Sequence, residues 1–198
     1  MLKNHKHLIC ALFISCLILS SSFARADAVL PGDVFTAIML KALNYDRNID
    51  RQAKDKVTIG IVTPADDPEA QGFAGQVRDN ISKVQSTVLL KDKPVEARTL
   101  TLEKTFDKPK FEEQLKQNNI SILVVVVNDP ASVNNILEAT KDLQISSICG
   151  NPGCVQNGVG LEIIQKDDKP HMLINLNTVK QEGGDYNSKF LAMCEVVK

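Results

Sequence analysis

The chain has 198 residues, with 43% hydrophobic and 24% charged residues and a formal net charge of −1. This is the size of about one domain and the composition of a soluble globular protein, which excludes a disordered chain, a collagen-like repeat and a polytopic membrane protein. The near-zero charge gives no general pull toward nucleic acid or anionic lipid, and with no Trp, 2 Tyr and 7 unclustered Phe there is no stacking platform for bases.

The N-terminus reads as an address. Met1–His7 is polar and carries Lys3 and Lys6, and Leu8–Leu19 is an apolar run. A helix of that length spans about 18 Å, short of the roughly 30 Å of bilayer hydrocarbon. Ala24 and Ala26 satisfy the small-residue cleavage rule, so residues 1–26 read as a signal peptide, with Asp27 first in the mature chain and Ala26-Asp27-Ala28 as a second cut. The alternative is a buried N-terminal helix. A lipoprotein signal at Cys16 is disfavoured, because Leu17-Ile18-Leu19 continue the apolar run. Loss of Lys3, Lys6 and Arg25 takes the 23 basic residues to 20 against 24 acidic ones, with His171, Cys149, Cys154 and Cys194 the His and Cys that remain. A single His argues against a catalytic zinc site, and export implies an oxidising compartment.

Residues 27–198 read as one α/β domain. Phe35, Ile38, Met39 and Ala42 mark a largely buried helix over Asp33–Tyr45. Val57–Val62 is a strand, broken by Thr63-Pro64-Ala65-Asp66-Asp67-Pro68. Phe73, Val77, Ile81 and Val84 recur at helical spacing. Pro94–Leu102 alternates as a strand with one wetter face, and Phe111 and Leu115 mark a short helix over Pro109–Gln117. Ile120–Val127 is almost entirely apolar and suits a central strand buried on both faces. Asp129 and Pro130 cap and open the next helix, whose inward stripe is Val133, Ile136, Leu137 and Thr140. A short strand at Ile145–Ile148 follows. Val159–Ile164 and His171–Leu176 flank a polar hairpin loop, and Ser188–Val197 reads as a helix with Cys194 on its apolar face. The expected architecture is a three-layer sandwich: a mixed, mostly parallel sheet with a C-terminal antiparallel hairpin and helices on both faces.

The sharpest local feature is Cys149-Gly150-Asn151-Pro152-Gly153-Cys154. Gly and Pro let the chain fold back, so in an exported protein the two Cys read as a disulfide. Closing so short a loop removes roughly 2 kcal/mol of unfolded-chain entropy in the simple loop model. Two roles stand open: a staple after a strand, or a redox-sensitive bond, since strained short-loop disulfides are the labile ones. Cys194 reads as a buried free thiol. No residue pattern points to an enzyme, a metal or a cofactor. Gly158-Val159-Gly160 and Gly72–Gly75 are not phosphate loops, Asp66-Asp67 and Asp167-Asp168 read as solvated turns, His171 reads as a surface imidazole, and there is no Gly-x-Ser-x-Gly elbow. Parallel strands would gather Thr63, Asp66, Asn128 and Asp129 at their carboxyl ends, the usual ligand crevice of an open α/β sheet, unless these residues serve only as helix caps.

The last third of the chain carries a family pattern: Cys149 and Cys154, Gly158–Ile164, Lys169-Pro170, Ile174-Asn175-Leu176, Glu182-Gly183 and Ser188–Lys198. It resembles the YfiR/HmsC-like family of exported bacterial proteins, and the N-terminal half agrees in layout. Members often carry an aromatic-Pro pair after the first helix, where this chain has Tyr45-Asp46-Arg47. The resemblance implies a periplasmic regulator that binds the periplasmic sensor region of an inner-membrane diguanylate cyclase and lowers cyclic-di-GMP output and biofilm formation. It also implies a dimer. Cys149 and Cys154 match the family's C-terminal disulfide pair, while a second family bridge has no counterpart here. Pro152 and Val155, beside the disulfide, are the apolar residues expected to dock on the partner. The competing expectation is a solute-binding module serving a sensor kinase or a transporter.

Overall fold

A computed structural model describes residues 27–49, 51, 53 and 55–197. The expected signal peptide at residues 1–26 lies outside them. Eight strands form one sheet: β1 (Val57–Pro64), β2 (Leu89–Leu90), β3 (Lys93–Leu102), β4 (Ile120–Val125), β5 (Ser146–Cys149), β6 (Leu161–Lys166), β7 (Lys169–Asn175) and β8 (Glu195–Val197). Their order is β2-β3-β1-β4-β5-β6-β7-β8. The pairs from β3 through β6 and the β7–β8 pair are parallel; β2–β3 and β6–β7 are antiparallel.

The almost entirely apolar run of β4 takes the centre, as its composition requires. β1 and β4 are neighbours, with Ile59 beside Ile122 and Ile61 beside Val124. Side chains alternate between two cores, following the strand period of two. Ile122 and Val124 face one way with Ile59 and Ile61, while Leu123 and Val125 face the other way with Val62. Each such buried side chain contributes roughly 1.5–3 kcal/mol relative to exposure.

Helices cover both faces. α1 (Gly32–Leu43) and α2 (Pro68–Val84) close the first core through Phe35, Met39, Leu43, Val77 and Ile81. α3 (Lys108–Gln117) and α4 (Pro130–Leu143) close the second through Phe111, Leu115, Val133 and Ile136. Three of these helices start by one device, an Asp cap with Pro in the first turn. Asp67 accepts from the Ala70 N–H at 2.9 Å, Asp107 from Lys110 at 3.1 Å and Asp129 from Ser132 at 2.8 Å. The expected three-layer α/β sandwich is the observed one.

The C-terminal segment departs from expectation. Ser188–Val197 is not a continuous helix: a four-residue turn of helix, α6 (Ser188–Leu191), gives way to β8. The β-branched pair Val196-Val197 finds an open ladder on β7, where Ile174 lies beside Val196. Phe190 anchors this switch; it is fully buried, 4.6 Å from Tyr186 and 5.7 Å from Tyr45, ring to ring. Two further elements went unread. α5 (Leu176–Gln181) begins at the Asn175 carboxamide, which accepts from the Asn177 and Thr178 N–H groups. β2 returns to β3 through Lys91 and Asp92, both left-handed. Asp167 and Asp168 repeat that geometry between β6 and β7, with φ of 50° and 61°, so this acidic pair is a two-residue hairpin turn.

Candidate functional site

The strand order reverses between β1 and β4: β1 leads toward β3 on one side, and β4 leads toward β5 on the other. Loops that leave a sheet in opposite directions open a crevice at the carboxyl ends of the strands. A groove of about 650 Å³ lies there. α2 supplies one wall through Phe73 and Gln76, and the loops after β4 and β5 supply Asn128, Asn151 and Pro152. The N-terminal arm closes the remaining side. Ala28 pairs with Gln165 through reciprocal backbone hydrogen bonds of 2.9 and 2.8 Å, and the Gly32 N–H donates to Gln76 Oε1 at 3.2 Å.

The four expected crevice residues have separate fates. Asn128 lines the groove and accepts a 2.6 Å hydrogen bond from Asn151 Nδ2. Thr63 is buried, only 5% exposed, and does not line the groove. Asp66 pairs with Lys104 at 3.1 Å, and that hydrogen bond and charge hold its carboxyl below the usual carboxylate range. Asp129 serves as the cap of α4; Ser132 donates to it twice and lowers its carboxyl as well. Phe73 is legible in the sequence only as part of a helical stripe, and the N-terminal arm and Gln76 carry no signal for the groove, because only the fold brings the arm to Gln165 of β6.

The Cys149–Cys154 disulfide is present, with Cα atoms 6.6 Å apart, and its loop forms the rim of the groove. The loop is held from below as well. Glu162 of β6 is 1% exposed. Its Oε1 accepts from the Gly153 N–H at 3.1 Å, its Oε2 accepts from Val155 at 2.8 Å, and Oε2 lies 3.5 Å from Cys154 Sγ. Gly153 sits at φ 86°, a left-handed position that favours glycine. A Cβ on Gly150 would come within 3.1 Å of Phe73 and 3.2 Å of Phe35, so the loop's first turn is pressed onto the core. Cys149, Cys154 and Glu162 have the mutual spacing of metal ligands, but the two sulfurs are bonded to each other and offer no thiolate.

Two expected roles need correction. Val155 is fully buried against Ile164 and Leu173, so it is not an exposed docking contact; Pro152 alone of that pair is exposed. Cys194 lies in the turn between α6 and β8 rather than on a helical face. It is a free, half-buried thiol that burial pushes up to about 12. His171 is partly exposed and contacts Glu195 at 2.9 Å.

Over residues 33–195 the sequence matches the family described as YfiR/HmsC-like. The chain belongs to the YfiR/HmsC-like family. Characterised members are periplasmic regulators, and no helix among the described residues is long and apolar enough to cross a membrane. No curated protein matches the YfiR/HmsC-like chain in sequence. Solved structures share the fold at low identity. A conserved domain protein from Vibrio cholerae O1 biovar El Tor has TM-score 0.57 and 11% identity, covering 86% of this chain and 61% of that one. An ABC domain in complex with L-Trp from Streptococcus pneumonia has TM-score 0.52 and 10% identity, covering 79% and 60%. A ligand-free, open substrate-binding protein with adhesive properties from Clostridium difficile has TM-score 0.51 and 14% identity, covering 77% and 58%. The chain thus spans about three fifths of the length of these structures.

Proposed function

We propose that this YfiR/HmsC-like protein binds the periplasmic sensor region of an inner-membrane diguanylate cyclase and holds it in its low-output state, reducing cyclic-di-GMP and biofilm formation. The family match over residues 33–195 carries this reading. The rim of the groove supports it. Pro152 is exposed on a loop fixed by the disulfide and by Glu162, so the surface is preorganised and little ordering cost falls on binding. A regulator that binds one state of its target better shifts that target by the difference in affinity. Reduction of Cys149–Cys154 loosens the rim and weakens docking. The reading includes a homodimer.

Binding to the periplasmic sensor domains of the inner-membrane diguanylate cyclases of the same organism tests this. Wild type should bind, and Cys149→Ser/Cys154→Ser should bind at least tenfold more weakly. Equal affinities remove the disulfide from docking, and no binding by either protein removes the proposed partner.

The groove favours a second reading, a solute-binding module that serves a sensor kinase or a transporter. It lies at the switch point of the sheet and is lined by carboxamides and Phe73, a mixture of polar and apolar groups suited to a small organic molecule. A small-molecule thermal-shift screen in which Asn128→Ala abolishes the hit would support it.

A further inference from the structure

Beneath the rim of the groove, the disulfide and one carboxylate form a closed cluster. Cys149, Cys154 and Glu162 are 0%, 5% and 1% exposed, and their sulfur and carboxylate oxygen atoms lie within 4.8 Å of one another. The two cysteines flank the turn Gly150-Asn151-Pro152-Gly153, and Glu162 rises from β6 as the register partner of Cys149 on β5. Parallel neighbours in register project to the same face, which is why the acid and the bond meet. No salt bridge among the described residues reaches this buried acid. Its neighbours are the Gly153 and Val155 N–H groups and, 3.5 Å from Oε2, Cys154 Sγ. A carboxylate oxygen has two lone pairs, so Oε2 keeps one for a cation after the Val155 N–H is counted.

We infer that the reduced protein binds one zinc ion here, with the Cys149 and Cys154 thiolates and Glu162 Oε2 as ligands and water in the fourth position. Zinc takes four ligands, so three protein groups and one water complete its shell. Bonds of about 2.3 Å to sulfur and about 2.0 Å to oxygen, at a tetrahedral angle, put those two atoms about 3.5 Å apart. That is the separation of Cys154 Sγ and Glu162 Oε2 while the disulfide is intact. Two zinc-bound sulfurs stand roughly 3.8 Å apart by the same geometry. The cysteine Cα atoms are 6.6 Å apart, near the long end of the disulfide range, so side-chain rotation opens the sulfurs with little backbone movement. The donor set selects the metal: two soft thiolates and a carboxylate suit zinc, whereas calcium and magnesium take oxygen ligands alone.

The site forms only after reduction. A dithiol reductant attacks one sulfur through a mixed disulfide; its two sulfurs end bonded to each other, and its two electrons and two protons pass to Cys149 and Cys154. Zinc then displaces one proton from each thiol and keeps its own oxidation state. The Gly153 and Val155 N–H groups already orient the carboxylate, as outer hydrogen bonds do for zinc ligands. The ion restores the link across the loop that reduction removes. The rim is therefore held in the oxidised form and in the reduced, zinc-loaded form, and is loosened only in the reduced, metal-free form.

The test uses the purified protein, reduced without air by a water-soluble phosphine, which is oxidised to its phosphine oxide and leaves no competing thiol. Zinc chloride is titrated against a chromogenic chelator. Reduced wild type should bind one zinc per chain, and the oxidised protein should bind it at least a hundredfold more weakly. Zinc at one hundred times its Kd should raise the Tm of the reduced protein by about 5–10 °C. Cys149→Ser/Cys154→Ser should abolish binding, Glu162→Gln should weaken it at least tenfold, and Cys194→Ser should leave it unchanged. X-ray absorption at the zinc edge of the wild-type complex should show two sulfurs at about 2.3 Å and two oxygens at about 2.0 Å. No zinc on the reduced protein, equal binding by the oxidised one, full affinity in Glu162→Gln or loss of binding in Cys194→Ser overturns the assignment. So does a shell of three or four sulfurs, which requires no variant to fold.

Discussion

Glu162 reaches from the sheet to the disulfide loop and accepts the Val155 N–H at 2.8 Å, one residue past Cys154. Its other oxygen takes the Gly153 N–H, so one buried carboxylate brackets the second cysteine. Glu162→Ala leaves two buried donors unpaired, each costing about 1–3 kcal/mol. Urea denaturation of the oxidised protein should show a loss of about 2–4 kcal/mol. Glu162→Gln retains acceptor capacity and should lose less than half of that. A neutral Glu162→Ala would mean the disulfide alone holds the loop.

The bond itself contributes less. Cys149→Ser/Cys154→Ser should lower stability by about 2 kcal/mol, the loop-entropy value for so short a closure. The measurement is the shift of the denaturation midpoint at unchanged slope. A much larger loss would show that the two cysteines also matter through their packing in the second core, where both are buried.

Acid should stabilise this protein. Burial raises the Glu182 carboxyl from 4.5 to about 7, against hydrogen bonds from Ser147 and Thr140 that lower it. The folded state therefore holds a proton that the unfolded state releases. Its stabilisation is complete below about pH 4.5 and is lost as pH rises to about 7. Unfolding free energy should fall by roughly 2–3 kcal/mol between pH 5 and pH 8. Glu182→Gln should flatten that slope. A profile equally steep in the variant would assign the effect elsewhere, with Asp46, also raised by burial, the next group to examine.

The tail depends on one ring. Phe190→Ala should cost about 3–5 kcal/mol, because it removes a fully buried ring that stacks on Tyr186 and Tyr45. Hydrogen exchange should then show β8 losing protection before the central strands do. Uniform protection across the sheet would mean that β8 is held by its ladder with β7 alone.

The fold was largely legible because its strongest signals are periodic. Ile120–Val127 suits a strand buried on both faces, and Asp129-Pro130 marks where α4 starts, whereas Asp67-Pro68 reads only as a strand break and its cap of α2 emerges from the structure. The tail misled because Phe190, Leu191, Cys194 and Val197 satisfy a helical period while also fitting a helical turn followed by a strand. The open edge of β7 decides between the two, and no local pattern encodes it. The candidate site was legible only in part. Cys149 and Cys154 announce themselves by spacing, and Asn128 by its place after a central strand. Glu162, on the other hand, sits in the middle of Val159–Ile164 as one more strand residue. Its role follows from the register that places β6 under the loop.

The most direct test of the account is cellular. Cyclic-di-GMP should be measured in a strain lacking this protein, and again with each inner-membrane diguanylate cyclase gene also removed in turn. The account predicts a rise of several-fold on loss of the protein, restored by wild type, restored only in part by Cys149→Ser/Cys154→Ser, and absent when the target cyclase is missing. An unchanged level on deletion, or a rise that persists whichever cyclase is removed, contradicts it.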